Sequence, residues 1–281
     1  MFEDFKNDIK NGGVLTILIA AMVCIFIAIN VLPMLFGFGN EADVLILNYL
    51  AFPASFSRFI IHPWTIITYA FLHADAFHIL FNMFAFYFFG DVLQSMIGRK
   101  HILPVFVMGS IGGALVFMIA FNVFPFFSTA INSATLVGAS AGVMAIVIAA
   151  TTLTPNLPIG FLIWRELELK YVALIFVGID LVSMAGGNAG GHIAHLGGAL
   201  MGYIYIKQLQ NGLNLGKWFS FDFSKMKNKK KFQVYRNEEK PTKPTPNNEI
   251  ELNKILEKIS ASGYESLSKA EKDFLKQYGN N

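Results

Sequence analysis

The stretch LVGASAGVMAIVIAA, residues 136–150, combines a G-x-S-x-G pattern with an apolar run that carries no charged side chain. In soluble hydrolases this pattern marks a sharp strand-to-helix turn that exposes a nucleophilic serine. The preceding residues, STAINSAT, are polar and do not predict a buried strand, and no alternation of strands and helices surrounds them. The stretch therefore predicts a membrane helix whose N-terminal end carries Ser140.

The rest of the chain has the composition of a membrane protein. Charged residues make up 15% of its 281 residues, whereas soluble domains carry about 25%, and the mean hydropathy is +0.50. The long uncharged runs are each near the length that crosses a bilayer, which disfavours a soluble α/β enzyme. We predict six spans, at about residues 14–36, 77–97, 102–124, 138–153, 171–185 and 192–209.

Basic residues predict the orientation of these spans. Those on one side of the predicted spans are Lys6, Lys10, Arg99, Lys100, Arg165 and Lys170, followed by a basic tail. Arg58 lies on the other side. The positive-inside rule then places both termini in the cytoplasm, and we expect the membrane to be the bacterial plasma membrane. The starts of the fourth and sixth spans, with Ser140 and His195, would share the outer face.

The C-terminal tail has two parts. KWFSFDFSKMKNKKK, residues 217–231, interleaves aromatic residues with lysines and suits an anionic lipid surface, whereas the net charge of +3 gives no reason to expect nucleic acid. After a Pro-rich linker, helical periodicity and a capping box of Ser268 and Glu271 predict a helical hairpin.

The expected fold class is an all-α polytopic membrane protein with a six-helix bundle and a small cytoplasmic helical tail. Its predicted parts are a cytoplasmic N-terminus (1–13), the membrane domain (14–209), a basic juxtamembrane segment and linker (210–248), and the hairpin (249–281).

Four polar side chains fall near the predicted outer ends of their spans. Polar groups at membrane depth are costly and are functional candidates. Ser140 lies near a helix N-terminus, which favours a developing oxyanion. His195 has Gly198 and Gly202 on its own helix face, which allows close approach to the fourth span, as a base and its nucleophile require. His78 and Asn82 share a face of the second span and can donate to an oxyanion.

Other polar residues have simpler interpretations. His192 and His195 have a spacing that could also suit a metal, but His192 is interpreted as a structural histidine bonded to a loop carbonyl. Asp180, on the fifth span, is interpreted as structural, and the alternative is that it orients the base. His101 is expected to be solvated on a cytoplasmic connection.

Four sequence motifs of this chain resemble those of the rhomboid intramembrane serine proteases. The resemblance covers about residues 14–209 and rests on HILFN in the second span, GAS at the start of the fourth, AHLGGALMG in the sixth, and HPWTIITYAFLH before the second. It implies that Ser140 is the nucleophile and His195 the general base. It also implies that His78 and Asn82 join the Ser140 N–H in an oxyanion hole, and that Gly138 shapes the site.

The chain departs from the family pattern at three positions. Ala141 follows the serine where the family has glycine, Met144 stands where an aromatic residue packs on the base, and Thr65 follows the loop tryptophan in place of arginine. Met144 can still pack on the imidazole.

The resemblance implies an endopeptidase that cleaves membrane-anchored proteins near the outer interface through a Ser–His dyad and an acyl-enzyme, without metal or cofactor. Two alternatives stay open. One is a silent relative that binds membrane helices without cutting them. The other is a transporter or a metal- or haem-binding protein, whose ligands would come from His73, His78, His192 and His195.

Overall fold

The structure is a computed structural model, and it describes residues 13–37, 45–161, 164–219 and 246–279. The described residues are mainly helical, as the composition predicts. The chain divides into two units, Met1–Asn228 and Lys229–Asn281. Residues 1–12 and 220–245 lie outside the described residues, and with them most of the N-terminal segment and of the basic segment predicted to contact lipid.

The predicted spans correspond to helices of the first unit. In chain order its helices are α1 (Val14–Leu35), α2 (Phe56–Ile61), α3 (Thr65–Thr68), α4 (Ala76–Ile97), α5 (Ile102–Val123), α6 (Ser140–Leu153), α7 (Leu169–Ser183) and α8 (Ala189–Gln210). Within the described residues, α1, α4 and the continuous segment Arg99–Val123 that contains α5 are long and apolar enough to cross a membrane. The bounds of α1, α4 and α5 match the first three predicted spans to within one residue.

Helix α6 lies at the centre of the first unit. It packs against α4, α5 and α8, and residues 141–147 are all buried. At 1.5 Å per residue its 14 residues extend about 21 Å, which is less than the hydrocarbon core of about 30 Å. A helix of this length and burial can begin below the membrane surface, among its neighbours.

Glycines allow α8 to approach α6 at backbone distance. A Cβ atom at Gly198 would overlap the carbonyl group of Ala141, and one at Gly202 would overlap that of Ala145. The close approach that the glycine spacing predicts is therefore present. Because Gly198 and Gly202 follow His195 by three and seven residues, the contact turns the His195 face of α8 toward the N-terminal end of α6.

Short strands join the loops of the first unit. Strand β1 (Phe52–Pro53) pairs antiparallel with β2 (Thr135–Leu136), directly before α6. Strands β3 (Pro158–Phe161) and β4 (Trp164–Glu168) form a hairpin with Pro158 opposite Glu168. Residues 154–170 lie between the fourth and fifth predicted spans, and the sequence predicted no strand there, because so short a ladder leaves no clear alternation of polar and apolar residues.

The prediction that His101 is solvated is wrong. His101 is buried, and its Nδ1 lies 2.7 Å from the Tyr205 hydroxyl of α8. The cause is the turn after α4, where Gly98 adopts φ +90° and a 3₁₀ turn, Arg99–His101, leads into α5. This turn directs the imidazole inward.

The second unit contains α9 (Pro246–Ser262) and α10 (Lys269–Gly279). The predicted capping box is present. The Ser268 N–H donates to Glu271 Oε2 at 2.6 Å, and the Glu271 N–H donates to the Ser268 hydroxyl at 3.4 Å. Lys258 of α9 also bonds to this carboxylate, and these hydrogen bonds lower the pKa of Glu271 to about 2. A charged pair of Lys258 and Glu271 therefore joins the two helices near neutral pH.

The Gly202→Ala variant tests the helix contact. The new methyl group would overlap the α6 backbone, and forcing atoms into a packed contact costs roughly 1–3 kcal/mol. We expect a lower Tm in detergent for this variant. Gly178→Ala in α7 is the matched control, because a Cβ there meets no atom within 4 Å. An equal Tm for both variants would contradict the close contact.

Candidate active site

Ser140 is the first residue of α6, and a turn that favours glycine precedes it. Gly138 adopts φ +123°, a conformation that other residues rarely take, and its N–H donates to the Tyr69 carbonyl at 3.0 Å. The first hydrogen bond of the helix runs from the Val143 N–H to the Ala139 carbonyl. The N–H of Ser140 therefore lies in the first turn of α6, where backbone donors have no partner within the helix.

The His195 imidazole is held by a carboxylate. Its Nδ1 lies 2.7 Å from Asp180 Oδ1, and His192 Nδ1 lies 2.8 Å from the same oxygen. The Asp180 side chain is only 5% exposed. The interpretation of Asp180 as merely structural therefore has to be revised, and the prediction that His192 bonds a loop carbonyl is wrong. The helical i, i+3 spacing places both rings on one face of α8, and that face meets α7.

These contacts determine where the protons lie on the two rings. A carboxylate only accepts hydrogen bonds, so each Nδ1 must carry a proton. A neutral His195 ring then has its unprotonated nitrogen at Nε2, the position that a general base uses.

His78 and Asn82 lie on α4 and approach the turn before Ser140. Asp75 caps α4 by accepting the His78 N–H at 2.9 Å, and Asn82 Nδ2 donates to the His78 carbonyl at 2.8 Å. His78 Nδ1 faces the Ala74 N–H at 3.5 Å as an acceptor, which leaves the ring proton on Nε2. A Cβ at Gly138 would lie 2.8 Å from His78 Nε2 and 3.5 Å from the Ser140 hydroxyl. The protonated edge of His78 therefore faces the serine turn.

A cavity of about 480 Å³ lies between α4, α6, α7 and α8. Asn82, Ser140, Met144, Asp180 and His195 line it, together with apolar side chains of α4, α6 and α7. Among the described residues, Ser140 and His195 share this cavity without a direct hydrogen bond. Catalytic hydrogen bonds are often long before substrate binds.

His73 lies beside His78, with 5.2 Å between the ring centroids. Burial, together with the neighbouring His78, lowers the pKa of His73 to about 4. His73 therefore remains neutral near pH 7 and adds no positive charge to the site.

The structure brings together all of the predicted site residues, although in different ways. Ser140, His195, Asn82 and Met144 line the cavity, His78 meets the site through Gly138, and Gly198 and Gly202 contact α6. The sequence favoured a structural role for Asp180 over a role in orienting the base, whereas the structure joins Asp180 to His195. The available signal was an acidic residue in a predicted span that has no other charge.

The fold and the site together define a helical membrane protein with polar side chains gathered around a serine at a helix start. Family models match both parts of the chain. A Rhomboid domain model matches residues 62–210, and a family of unknown function, DUF6576, matches residues 237–281. The first match covers more than half of the chain. The chain belongs to the rhomboid family, as its motifs predict, and it is a multi-pass integral membrane protein.

Two curated relatives are similar to this chain. RHOMBOID-like protein 12, mitochondrial, from Arabidopsis thaliana is 27% identical over 157 residues, which cover 53% of this chain and 47% of the relative. Presenilin-associated rhomboid-like protein A, mitochondrial, from Danio rerio is 26% identical over 141 residues, which cover 49% of this chain and 35% of the relative. The chain thus spans half or less of the length of these relatives.

The Gly138→Ala variant tests the position of His78. The new methyl group would meet both backbone strain and the His78 ring, so we expect a loss of about 1–3 kcal/mol and a lower Tm. Gly212→Ala is the control, because Gly212 also has a positive φ of +84° but a Cβ there meets no atom within 4 Å. A Tm for Gly138→Ala equal to that of the control would show that His78 does not press on this turn.

Proposed function

We propose that the protein is an intramembrane serine endopeptidase with Ser140 as nucleophile and His195 as general base. The observation that carries the proposal is the shared cavity. Ser140 opens α6 on one wall, and His195 lines the same cavity with its Nδ1 bonded to Asp180 at 2.7 Å. This arrangement leaves Nε2 of His195 as the free base.

The first half of the reaction forms an acyl-enzyme. The Ser140 hydroxyl oxygen bonds to the carbonyl carbon of the substrate peptide, and His195 Nε2 accepts the hydroxyl proton. Asp180 accepts the Nδ1–H throughout, which holds the ring and stabilises the imidazolium. His195 then passes the proton to the amine as the carbon–nitrogen bond breaks. Asp180 acts through His195 and is a positioning residue.

The tetrahedral intermediate needs donors for its oxyanion. We assign this role to the Ser140 N–H, to His78 Nε2–H, and to the second N–H of Asn82 Nδ2. The contact of His78 with Gly138, and the place of Asn82 in the cavity wall, support the assignment. Such preorganised donors stabilise charge strongly in a site that excludes bulk water.

Hydrolysis completes the cycle. Water replaces the amine, gives a proton to His195 Nε2, and attacks the ester carbon. The serine oxygen leaves and recovers that proton. The scheme needs no metal or cofactor.

The membrane setting is part of the proposal. We propose that the membrane domain, residues 14–209, has six spans with both termini in the cytoplasm of a bacterial cell. We further propose that segment 210–248 contacts anionic lipid and that 249–281 forms a separate cytoplasmic hairpin. Substrates are transmembrane or membrane-anchored proteins cut near the outer interface. The largely apolar cavity wall suits an unwound membrane segment.

Covalent labelling with a fluorescent fluorophosphonate tests the nucleophile and the base. We expect detergent-purified wild type to be labelled, Ser140→Ala not to be labelled, and His195→Ala to be labelled at least about a hundredfold more slowly, because general-base catalysis contributes roughly 10²–10⁴-fold. Ser95→Ala and His62→Ala are controls outside the cavity.

Retention of the label in Ser140→Ala would contradict the proposed nucleophile. A folded wild type that stays unlabelled, both in detergent and in lipid vesicles, would favour a silent helix-binding protein.

Asp180→Asn tests the positioning role in cleavage of a fluorogenic transmembrane peptide. A neutral amide stabilises the imidazolium less than a carboxylate does, and it can bond the wrong tautomer. We expect kcat to fall by at least about tenfold while KM stays within about twofold. Asp91→Asn, on an exposed carboxylate of α4, is the matched control. If Asp180 only supported the fold, Asp180→Asn would lower the Tm and change both kcat and KM. That outcome would contradict the positioning role.

A further inference from the structure

Asp180, His192 and His195 have the composition of a transition-metal site. One ligand atom of each residue lies within 4.8 Å of the others. Two imidazoles and one carboxylate form the ligand set of a known class of zinc site, in which a fourth position stays open to water. These three side chains are called the Asp–His–His cluster below.

Two of the three ligand-atom distances in the cluster are already close to those of a zinc site. The two Nδ1 atoms lie 2.8 and 2.7 Å from Asp180 Oδ1. Ligands at about 2.0–2.1 Å from a tetrahedral zinc ion stand about 3.3 Å apart. Each nitrogen–oxygen distance would therefore widen by only about half an ångström. Small side-chain rotations can supply such a change.

A second observation points to a cation. Asp180 Oδ2 is buried and has no hydrogen-bond partner among the described residues. A buried carboxylate oxygen without a partner is costly, and metal coordination is one of the usual ways to satisfy it. The His192 and His195 side chains are 20% and 21% exposed, and the cavity reaches both Asp180 and His195. An ion therefore has a route to the cluster.

We propose that the Asp–His–His cluster binds a divalent first-row transition metal ion such as zinc, and that the bound ion inhibits the protease. The inhibitory part rests on the proposed function of His195. The ion is a regulator of the site and not a cofactor.

Tautomer exchange explains the inhibition. Without metal, His195 Nδ1–H donates to Asp180 and the lone pair on Nε2 can accept the serine proton. A metal ion takes the lone pair of Nδ1, so the single proton of the neutral ring moves to Nε2. The ring then has no free lone pair toward Ser140, and it cannot act as a general base. Asp180 is withdrawn from its positioning role at the same time.

Metal binding is measured first, on full-length Ser140→Ala purified in detergent without a histidine tag. Ser140 contributes no ligand, so this background separates binding from catalysis. Zinc affinity is measured by competition with a chromophoric chelator, and Co²⁺ is used as a spectroscopic probe. We expect the intense visible bands of tetrahedral Co²⁺ and no competition by Mg²⁺, which prefers oxygen ligands.

Ligand variants test which residues bind the ion. His192→Gln keeps a donor toward Asp180 but removes an imidazole, and Asp180→Asn removes the carboxylate. Each should weaken zinc binding by more than about tenfold, because loss of an outer-shell partner alone costs 10–100-fold. His62→Gln, at a half-buried histidine outside the cluster, should bind zinc as the parent does.

Inhibition is then measured as the ratio of fluorophosphonate labelling rates with and without saturating zinc, in otherwise wild-type protein. The ratio cancels any change in the basal rate of a variant. We expect zinc to slow labelling of wild type by at least about tenfold, to do so reversibly with a chelator, and to have a much smaller effect on His192→Gln.

The outcomes separate the two proposals. Absence of zinc binding in Ser140→Ala, or equal zinc affinity in the parent and in both ligand variants, overturns the metal site. Zinc binding with an unchanged labelling rate overturns the inhibition. A metal-free wild type that is never labelled contradicts the proposed protease function, whereas zinc binding lost in the ligand variants would still establish the site.

Discussion

The close backbone contact of α8 with α6 is the constraint on which the site depends. A side chain at Gly198 or Gly202 would overlap carbonyl groups of α6, so the two helices can meet only where glycine is present. In a membrane, where apolar side chains gain little by leaving lipid, such small-residue packing is a main source of helix association. The same contact fixes the rotation of α8 and thereby turns His195 toward the cavity that Ser140 lines.

The carboxylate of Asp180 supplies the second constraint. An isolated charge at membrane depth is expensive, and here one oxygen accepts from two imidazoles while the other oxygen is buried without a partner among the described residues. The two oxygens have different chemical consequences. Oδ1 holds the proton of His195 on Nδ1, and the unpartnered Oδ2 leaves an electron-rich site that a metal ion could use. Activity and its inhibition would thus depend on the same carboxylate.

The short central helix connects the fold to the chemistry. Because α6 is buried on all sides and shorter than a bilayer core, the turn at Gly138 and Ala139 ends up among its neighbours. Strand β2 and the hydrogen bond from Gly138 to the Tyr69 carbonyl hold that turn in place. The N-terminal end of the helix therefore lies at the cavity that Asn82, Asp180 and His195 also line.

The sequence by itself determined the helical membrane class, the helix bounds to within a few residues, the family, and the residues around Ser140 and His195. Those features are local, because they follow from the length of apolar runs and from residue spacing on one helix. Only the tertiary structure decided that Asp180 meets both His192 and His195, that His101 is buried against Tyr205, and that strands Pro158–Phe161 and Trp164–Glu168 pair. The physical reason is that each of these contacts depends on how separate segments rotate and pair, and residue spacing along one helix does not record that rotation.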